Sequence, residues 1–152
     1  MNKDLAIGLI LALIIIAAGL VLWPSGFSTI EIGQGQWQIE VADEEEEQRQ
    51  GLSGRQSLPT GQGMLFIYAQ PGNYGFWMKD MNFPLDFVWI SSDRVAGVTE
   101  NVSPTQFTTY DVVNLPLYYP PEAVNKVLEI NAGQVEKFGI KAGDKVVVKL
   151  KR

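Results

Sequence analysis

The feature that most constrains this chain is an uninterrupted apolar run of 19 residues, from Leu5 to Trp23. The run holds no charged and no strongly polar side chain, which sets it apart from a helix of a soluble domain. A helix of this length extends about 28 Å, close to the thickness of the hydrocarbon layer of a bilayer. We therefore expect a membrane-spanning anchor at 5–23, preceded by a stub at 1–4 and followed by a short linker at 24–29.

The charges beside this run predict its orientation. Lys3 precedes it, whereas the residues that follow it, 24–48, contain no lysine or arginine before Arg49. Because positive charges favour the cytoplasmic side, we expect a cytoplasmic N-terminus and an extracytoplasmic domain. A cleaved signal peptide, which would release a secreted domain, is the alternative; the small residues Ala17-Ala18-Gly19 lie inside the run rather than at its end, which favours the anchor.

The composition of the chain excludes several classes of function. With no cysteine and no histidine, the chain cannot form disulfides, a Ser-His-Asp triad, a cysteine nucleophile or a site with histidine or cysteine metal ligands. No Asp-x-Asp-x-Asp loop is present for calcium, so we expect no metal and no cofactor. Twelve Lys and Arg against 17 Asp and Glu give a net charge of −5, which disfavours nucleic acid as a partner.

Alternating apolar and polar residues, separated by Gly, Pro, Asn and Asp, predict strands throughout the globular domain at 30–152. The expected strands are 29–32, 37–41, 63–68, 75–79, 86–90, 95–102, 124–130 and 145–150. Short helices are expected at 44–50, capped by Asp43, and at 133–138. The pattern predicts a mainly β, compact sandwich or jelly-roll-like domain with one or two short helices.

A proline-rich stretch at 103–121 carries four of the eight prolines and three tyrosines. Proline disfavours both strand pairing and helix, so we expect a long loop here. Loops of this length without regular structure are usually functional or mobile. We expect this loop to cover a ligand surface.

The densest group of aromatic and charged residues is Gly75 to Asp86. If it opens as a strand, Trp77 and Lys79 share one face, and Pro84 turns the chain so that Asp86 can meet Lys79. One interpretation is an aromatic wall beside a Lys/Asp pair, suited to a sugar or a peptide. The other is a structural ion pair beside core aromatics. Arg55, in a loop, either binds a carboxylate or phosphate or holds its own loop.

Short motifs spread over the domain carry a family resemblance. In order, they are Glu40-Val-Ala-Asp43, Arg49-Gln-Gly-Leu52, Arg55-Gln-Ser-Leu-Pro59, Gly63-Met-Leu-Phe66, Phe76-Trp-Met-Lys79, Pro84-Leu-Asp86, Val127-Leu-Glu-Ile-Asn-Ala-Gly133 and Gly139-Ile-Lys-Ala-Gly-Asp144. Over about 30–150 the chain resembles the domain of unknown function 192 family. The resemblance implies a compact β-sandwich or jelly-roll-like domain, often behind a signal peptide or one anchor, and no established activity. It singles out Arg55, Trp77, Lys79, Asp86 and Asn131.

We therefore expect a membrane-anchored, extracytoplasmic binding or accessory domain whose ligand is a glycan or peptide of the cell envelope. The expected ligand surface comprises Arg55, Trp77, Lys79, Asp86 and Asn131. Two alternatives stay open at this point. One is a carboxylate-dependent hydrolase of envelope glycan, with its acid and base drawn from Asp86, Glu100 and Glu129. The other is a structural scaffold whose loop tyrosines contact a partner protein.

Overall fold

The computed structural model describes residues 27–104 and 116–151. Over these ranges the chain forms seven strands and two short helices. In chain order they are β1 (Ser28–Ile32), β2 (Gly35–Ala42), α1 (Glu45–Gln50), β3 (Gln62–Gly72), β4 (Leu85–Ser91), β5 (Arg94–Val102), β6 (Val124–Asn131), α2 (Gln134–Phe138) and β7 (Val146–Lys149). The expected anchor at 5–23 lies outside the described residues. Within them, no helix has the length and apolarity needed to cross a bilayer.

The domain is mainly β, as expected, but its strands form one sheet rather than the two sheets of a sandwich. Their order is β5-β4-β6-β3-β2-β1-β7, with β2 and β3 parallel and every other neighbouring pair antiparallel. The two outer strands approach each other, since the Val95 amide donates to the Asp144 carbonyl at 2.9 Å and the Val146 amide to the Asp93 carbonyl at 2.8 Å. The sheet is therefore curled until its two edges meet.

Curling divides the core between two faces of the sheet. The inner face carries a cluster that includes Trp37, Leu65, Val88 and Leu128, completed by Val135 of α2. On the outer face of the central strands a second cluster is buried under loops; it includes Met64, Phe66, Phe87, Trp89 and Val127. Strand β4 contributes to both clusters and is buried from Leu85 to Ile90. Burial on both faces explains why its sequence reads as a nearly continuous apolar run.

The predicted strand at 75–79 is not formed. Phe76 makes a single antiparallel bridge to Tyr118, in which each amide donates to the other residue's carbonyl, at 2.9 and 2.8 Å. The predicted alternation is nevertheless present, because Phe76 and Met78 are buried in the outer cluster while Trp77 is exposed. This segment covers the outer face of the sheet instead of joining it, and so it delivers its aromatic side chains to that face.

Both predicted helices are present. The first begins one residue later than expected, with Glu44 at its N-cap in place of Asp43, and the Glu44 amide donates to the Glu47 carboxylate at 3.3 Å. The second helix ends at Gly139, which has a φ of 63°. That left-handed conformation favours glycine and satisfies a carbonyl at the helix end. Of the long loop predicted at 103–121, residues 105–115 lie outside the described residues.

Candidate functional site

A pocket of about 430 Å³ opens on the outer face of the sheet. The end of α1 and its following turn form one side, and the segment after β3 forms the other. Its lining residues are Gln48, Arg49, Gln50, Gly51, Leu52, Ser53, Phe66, Tyr68, Asn73, Gly75, Phe76, Trp77, Met81, Leu117, Tyr119 and Glu129. The pocket is therefore lined by aromatic rings and side-chain amides, together with one buried carboxyl group, that of Glu129.

Side-chain to backbone hydrogen bonds hold the two walls of this pocket together. The Ser53 hydroxyl donates to the Lys79 carbonyl at 2.8 Å, and the Asn82 side-chain amide donates to the Arg55 carbonyl at 2.8 Å. On the α1 side, the Gln48 side-chain amide donates to the Ile67 carbonyl of β3 at 2.8 Å. These bonds join segments distant in sequence, so the pocket is built by the fold and not by one local motif.

The aromatic rim includes the described end of the long loop. Tyr119 and Leu117 line the pocket, and both are exposed. A Cβ atom on Gly75 would lie 2.9 Å from the Tyr119 ring, closer than real side-chain contacts allow. Glycine at position 75 therefore permits the Tyr119 ring to rest against the backbone of the opposite wall. Of the described residues of the 103–121 loop, Leu117 and Tyr119 line the pocket; that the loop covers a ligand surface stays a prediction.

Glu129, on β6, is the buried carboxyl group of the pocket, and 5% of its surface is exposed. Among the described residues, none donates a hydrogen bond to its carboxyl oxygens, which reach the pocket. Burial raises the pKa of Glu129 to about 8, while the charge of Arg55 acts in the opposite direction. The free side chain is therefore mostly protonated at neutral pH, and ionises readily if a positive charge is supplied.

Arg55 does not present a free guanidinium group to a ligand. It donates two hydrogen bonds to the Glu40 carboxylate, at 2.5 and 2.8 Å. The hydrogen bond and charge of Arg55 lower the pKa of Glu40, and the same contacts raise the pKa of Arg55. The side chain of Arg55 therefore ties the loop that carries it to Glu40 of β2.

Arg55→Met is expected to raise the pKa of Glu129 further, because the guanidinium charge favours the ionised carboxylate and the freed Glu40 would oppose it. Carbon-13 NMR titration of the glutamate carboxyl groups measures this directly. Arg94→Met is the matched control, since Arg94 donates instead to the Gly143 carbonyl at 2.9 Å. A lowered or unchanged Glu129 pKa in Arg55→Met would contradict the assigned influence of Arg55.

Asp86 lies on the opposite face of the sheet from the pocket. It is fully buried, and its two carboxyl oxygens accept hydrogen bonds from the Asn101 amide at 2.8 Å and the Val135 amide at 2.9 Å. In the register of β4 and β6 it is paired with Ile130, a residue of the inner core. The Lys79–Asp86 pair suggested by the sequence is therefore not formed, and Asp86 instead ties β5 and the start of α2 to β4.

Lys79 and Trp77 do lie near the pocket. A neighbouring groove of about 340 Å³ is lined by Lys79, Asp80 and Glu46 together with four residues of the pocket, Arg49, Gln50, Ser53 and Trp77. The exposed Trp77 ring is the aromatic side chain that lines both depressions. Pocket and groove thus adjoin and form one extended surface.

The remaining sequence candidates lie outside this surface. The Asn131 side-chain amide donates to the Leu58 carbonyl at 2.8 Å, which holds the loop before β3. Glu100 is exposed on β5 and lines neither the pocket nor the groove. Tyr68 and Gln48 of the pocket were not predicted. Over residues 27–104 and 116–151, no three acidic side chains are placed to hold a metal ion.

The comparisons with known proteins agree with the β fold. A protein of unknown function from Novosphingobium aromaticivorans is 30% identical, with a TM-score of 0.67, covering 86% of this chain and 94% of its own. A Sinorhizobium meliloti protein, assigned as a candidate transcription regulator, is 25% identical with a TM-score of 0.70, covering 83% of this chain and 98% of its own. No curated protein matches the chain. The model of the DUF192 family, described as an uncharacterised ACR, matches residues 28–148, and the chain belongs to that family.

Proposed function

We propose that the protein is a membrane-anchored, extracytoplasmic binding domain whose outer pocket and groove take a glycan of the cell envelope. The observation that carries the proposal is the composition of the pocket: aromatic rings beside side-chain amides, around a single buried carboxyl group. The apolar run at 5–23 and the charges beside it support the location.

The chemistry of the lining fits a sugar. Sugar rings have apolar C–H faces that pack on aromatic rings such as Trp77 and Tyr119, and hydroxyl groups that need both donors and acceptors. The amides of Gln50 and Asn73 provide both kinds of group, whereas Gln48, whose N–H groups bind the Ala42 and Ile67 carbonyls, provides only its acceptor oxygen. The adjoining groove extends the surface past Trp77, which supports a chain of sugars over a single small ring.

Binding is favoured over hydrolysis by the placement of the carboxyl groups. Glycosidases place two carboxyl groups around one bond, about 5–10 Å apart. Asp86 and Glu129 lie on opposite faces of the sheet, and Glu129 is the one acidic residue among the described residues that line the pocket. The pair proposed for a hydrolase therefore does not share a cleft.

We do not propose a role in transcription regulation, the role assigned to the Sinorhizobium meliloti protein. Phosphate contacts from lysine and arginine dominate DNA affinity, whereas this chain carries a net charge of −5. The extended surface contains two basic residues, Arg49 and Lys79. Arg49 is already paired with Glu45 at 2.8 Å.

Trp77→Ala is expected to weaken glycan binding about tenfold or more, because it removes the ring that both depressions share. Isothermal titration of the detergent-solubilised full chain with chitooligosaccharides and solubilised envelope glycan measures this. Phe27→Ala is the matched control, since Phe27 is another exposed ring and lines neither depression. Absence of binding to all these glycans, or binding to envelope peptides alone, would reject a glycan ligand.

A further inference from the structure

We infer that the glycan presents a free amino group to the pocket, as a de-N-acetylated amino sugar does, and that Glu129 is the partner of that group. This inference rests on the proposed glycan-binding function and names the class of sugar. Its basis is geometric: Glu129 is a buried residue on the pocket wall, 5% exposed, and no described residue hydrogen-bonds its carboxyl oxygens. Since no described side-chain oxygen is both enclosed and unpartnered, these oxygens open into the pocket, where a ligand can bind them.

The charged and titratable groups facing Glu129 are already engaged. Tyr68 of β3 is a neutral phenol, and its ring stacks on Tyr74 with the ring centroids 3.6 Å apart. Burial and the nearby Glu129 charge raise the pKa of Tyr68, which keeps the phenol protonated. On β4, Phe87 is directly opposite Glu129 and has no charge. No neighbour on these strands supplies a positive charge.

The two arginines near the pocket are each paired with another glutamate. Arg55 forms its two hydrogen bonds with Glu40, and Arg49 binds Glu45 at 2.8 Å. Each guanidinium thus binds another glutamate, so the Glu129 carboxylate is favoured by the charge of Arg55 but has no ion-pair partner among the described residues. An incoming ammonium group would be that partner.

The rest of the wall suits an ammonium group. Phe66, Phe76, Trp77 and Tyr68 line the same pocket, and the faces of aromatic rings attract cations. An N-acetylated sugar has a neutral amide at this position and cannot compensate the ionised carboxylate. The pocket therefore distinguishes two sugars that differ by one acetyl group.

Pairing requires no net uptake of protons. A protonated carboxyl group with a free amine holds the same number of protons as a carboxylate with an ammonium ion, so one proton moves from Glu129 to the ligand. At low pH both groups are protonated and the pair is lost, and at high pH both are deprotonated. Affinity for the amino sugar is thus expected to pass through a maximum in pH, whereas affinity for the acetylated sugar stays nearly constant.

The test compares fully deacetylated chitobiose with N,N′-diacetylchitobiose, both titrated into the full chain between pH 5 and 9. The wild type is expected to bind the deacetylated sugar about tenfold more tightly near neutral pH. Glu129→Gln should lose this preference and the pH maximum. Glu100→Gln, an exposed glutamate outside the pocket, is the matched control.

The outcomes separate the inference from the function on which it rests. Equal binding of both sugars by the wild type, or an unchanged preference in Glu129→Gln, overturns the amino-sugar assignment and leaves glycan binding in place. Binding of neither chitobiose overturns the inference, and the proposed function falls with it if no envelope glycan binds. Should Glu129→Gln fail to fold, the pH profile of the wild type decides alone, because a flat profile for the deacetylated sugar contradicts pairing with Glu129.

Discussion

Replacing Asp86 by alanine is expected to lower the free energy of unfolding by about 3–5 kcal/mol. The side chain is fully buried and accepts hydrogen bonds from two backbone amides, those of Asn101 and Val135. Alanine leaves both amides without their acceptor inside the protein, and it also opens a cavity. Urea unfolding of the full chain, followed by circular dichroism in the far ultraviolet, measures the change.

Asp86→Asn sharpens this test because it preserves the shape of the side chain. Asparagine has one acceptor oxygen, so its NH₂ group must face one of the two backbone donors. We expect a loss of about 2–3 kcal/mol, between those of the wild type and the alanine variant. Glu100→Gln, exposed on the neighbouring strand, should change the stability by less than about 0.5 kcal/mol. An Asp86→Ala protein within about 1 kcal/mol of the wild type would contradict the structural role.

The second large effect is a loss of stability with rising pH that depends on Glu129. In the folded protein burial raises the pKa of Glu129 from 4.5 to about 8. Below pH 4.5 the group is protonated in both states. Between these two values the unfolded chain releases its proton while the folded chain retains it, so the unfolded state is favoured as pH rises. The accumulated loss is about 3–5 kcal/mol, and it is complete above the folded pKa.

Glu129→Gln removes this dependence, because glutamine does not titrate. Relative to the wild type, the variant should therefore gain stability steadily from about pH 4.5 to pH 8. Urea midpoints measured at several pH values give the difference curve, and Glu100→Gln should follow the wild type. A wild-type curve parallel to that of Glu129→Gln would show that Glu129 is ionised in the folded protein. Glu40 does not contribute to the change in stability between pH 4.5 and 8, because its pKa is lowered and it titrates at more acid pH.

The parts of the fold predicted from sequence are those built from local signals. Strands β1 and β2 follow from the alternation of apolar and polar residues on either side of Gly33-Gln-Gly35, and both predicted helices are present. The curled single sheet depends instead on the parallel pairing of β2 with β3 and on contacts between the outer strands. No local pattern encodes those pairings, because they join segments through backbone groups that every residue shares.

The same distinction explains which site residues were found. The partners of Asp86 are backbone amides 15 and 49 residues away, so the sequence could not indicate them, and a nearby lysine was the more visible partner. Trp77 was found because alternation turns it outward even without a strand. Glu129 carried a usable signal, a single carboxyl group within the apolar run Val127-Leu-Glu-Ile130. Glu129 was predicted only as a possible acid or base of a hydrolase, and its place in the fold was not predicted.

The pairing of β1 with β7 also determines what the domain exposes when β7 is missing. β1 is flanked by β2 and by β7, which follows every other described strand along the sequence. A chain that lacks Val146–Lys149 exposes the open edge of β1, with Ile30 and Ile32 uncovered beside it. A protein truncated before β7 is therefore expected to be a template for intermolecular strand pairing and aggregation.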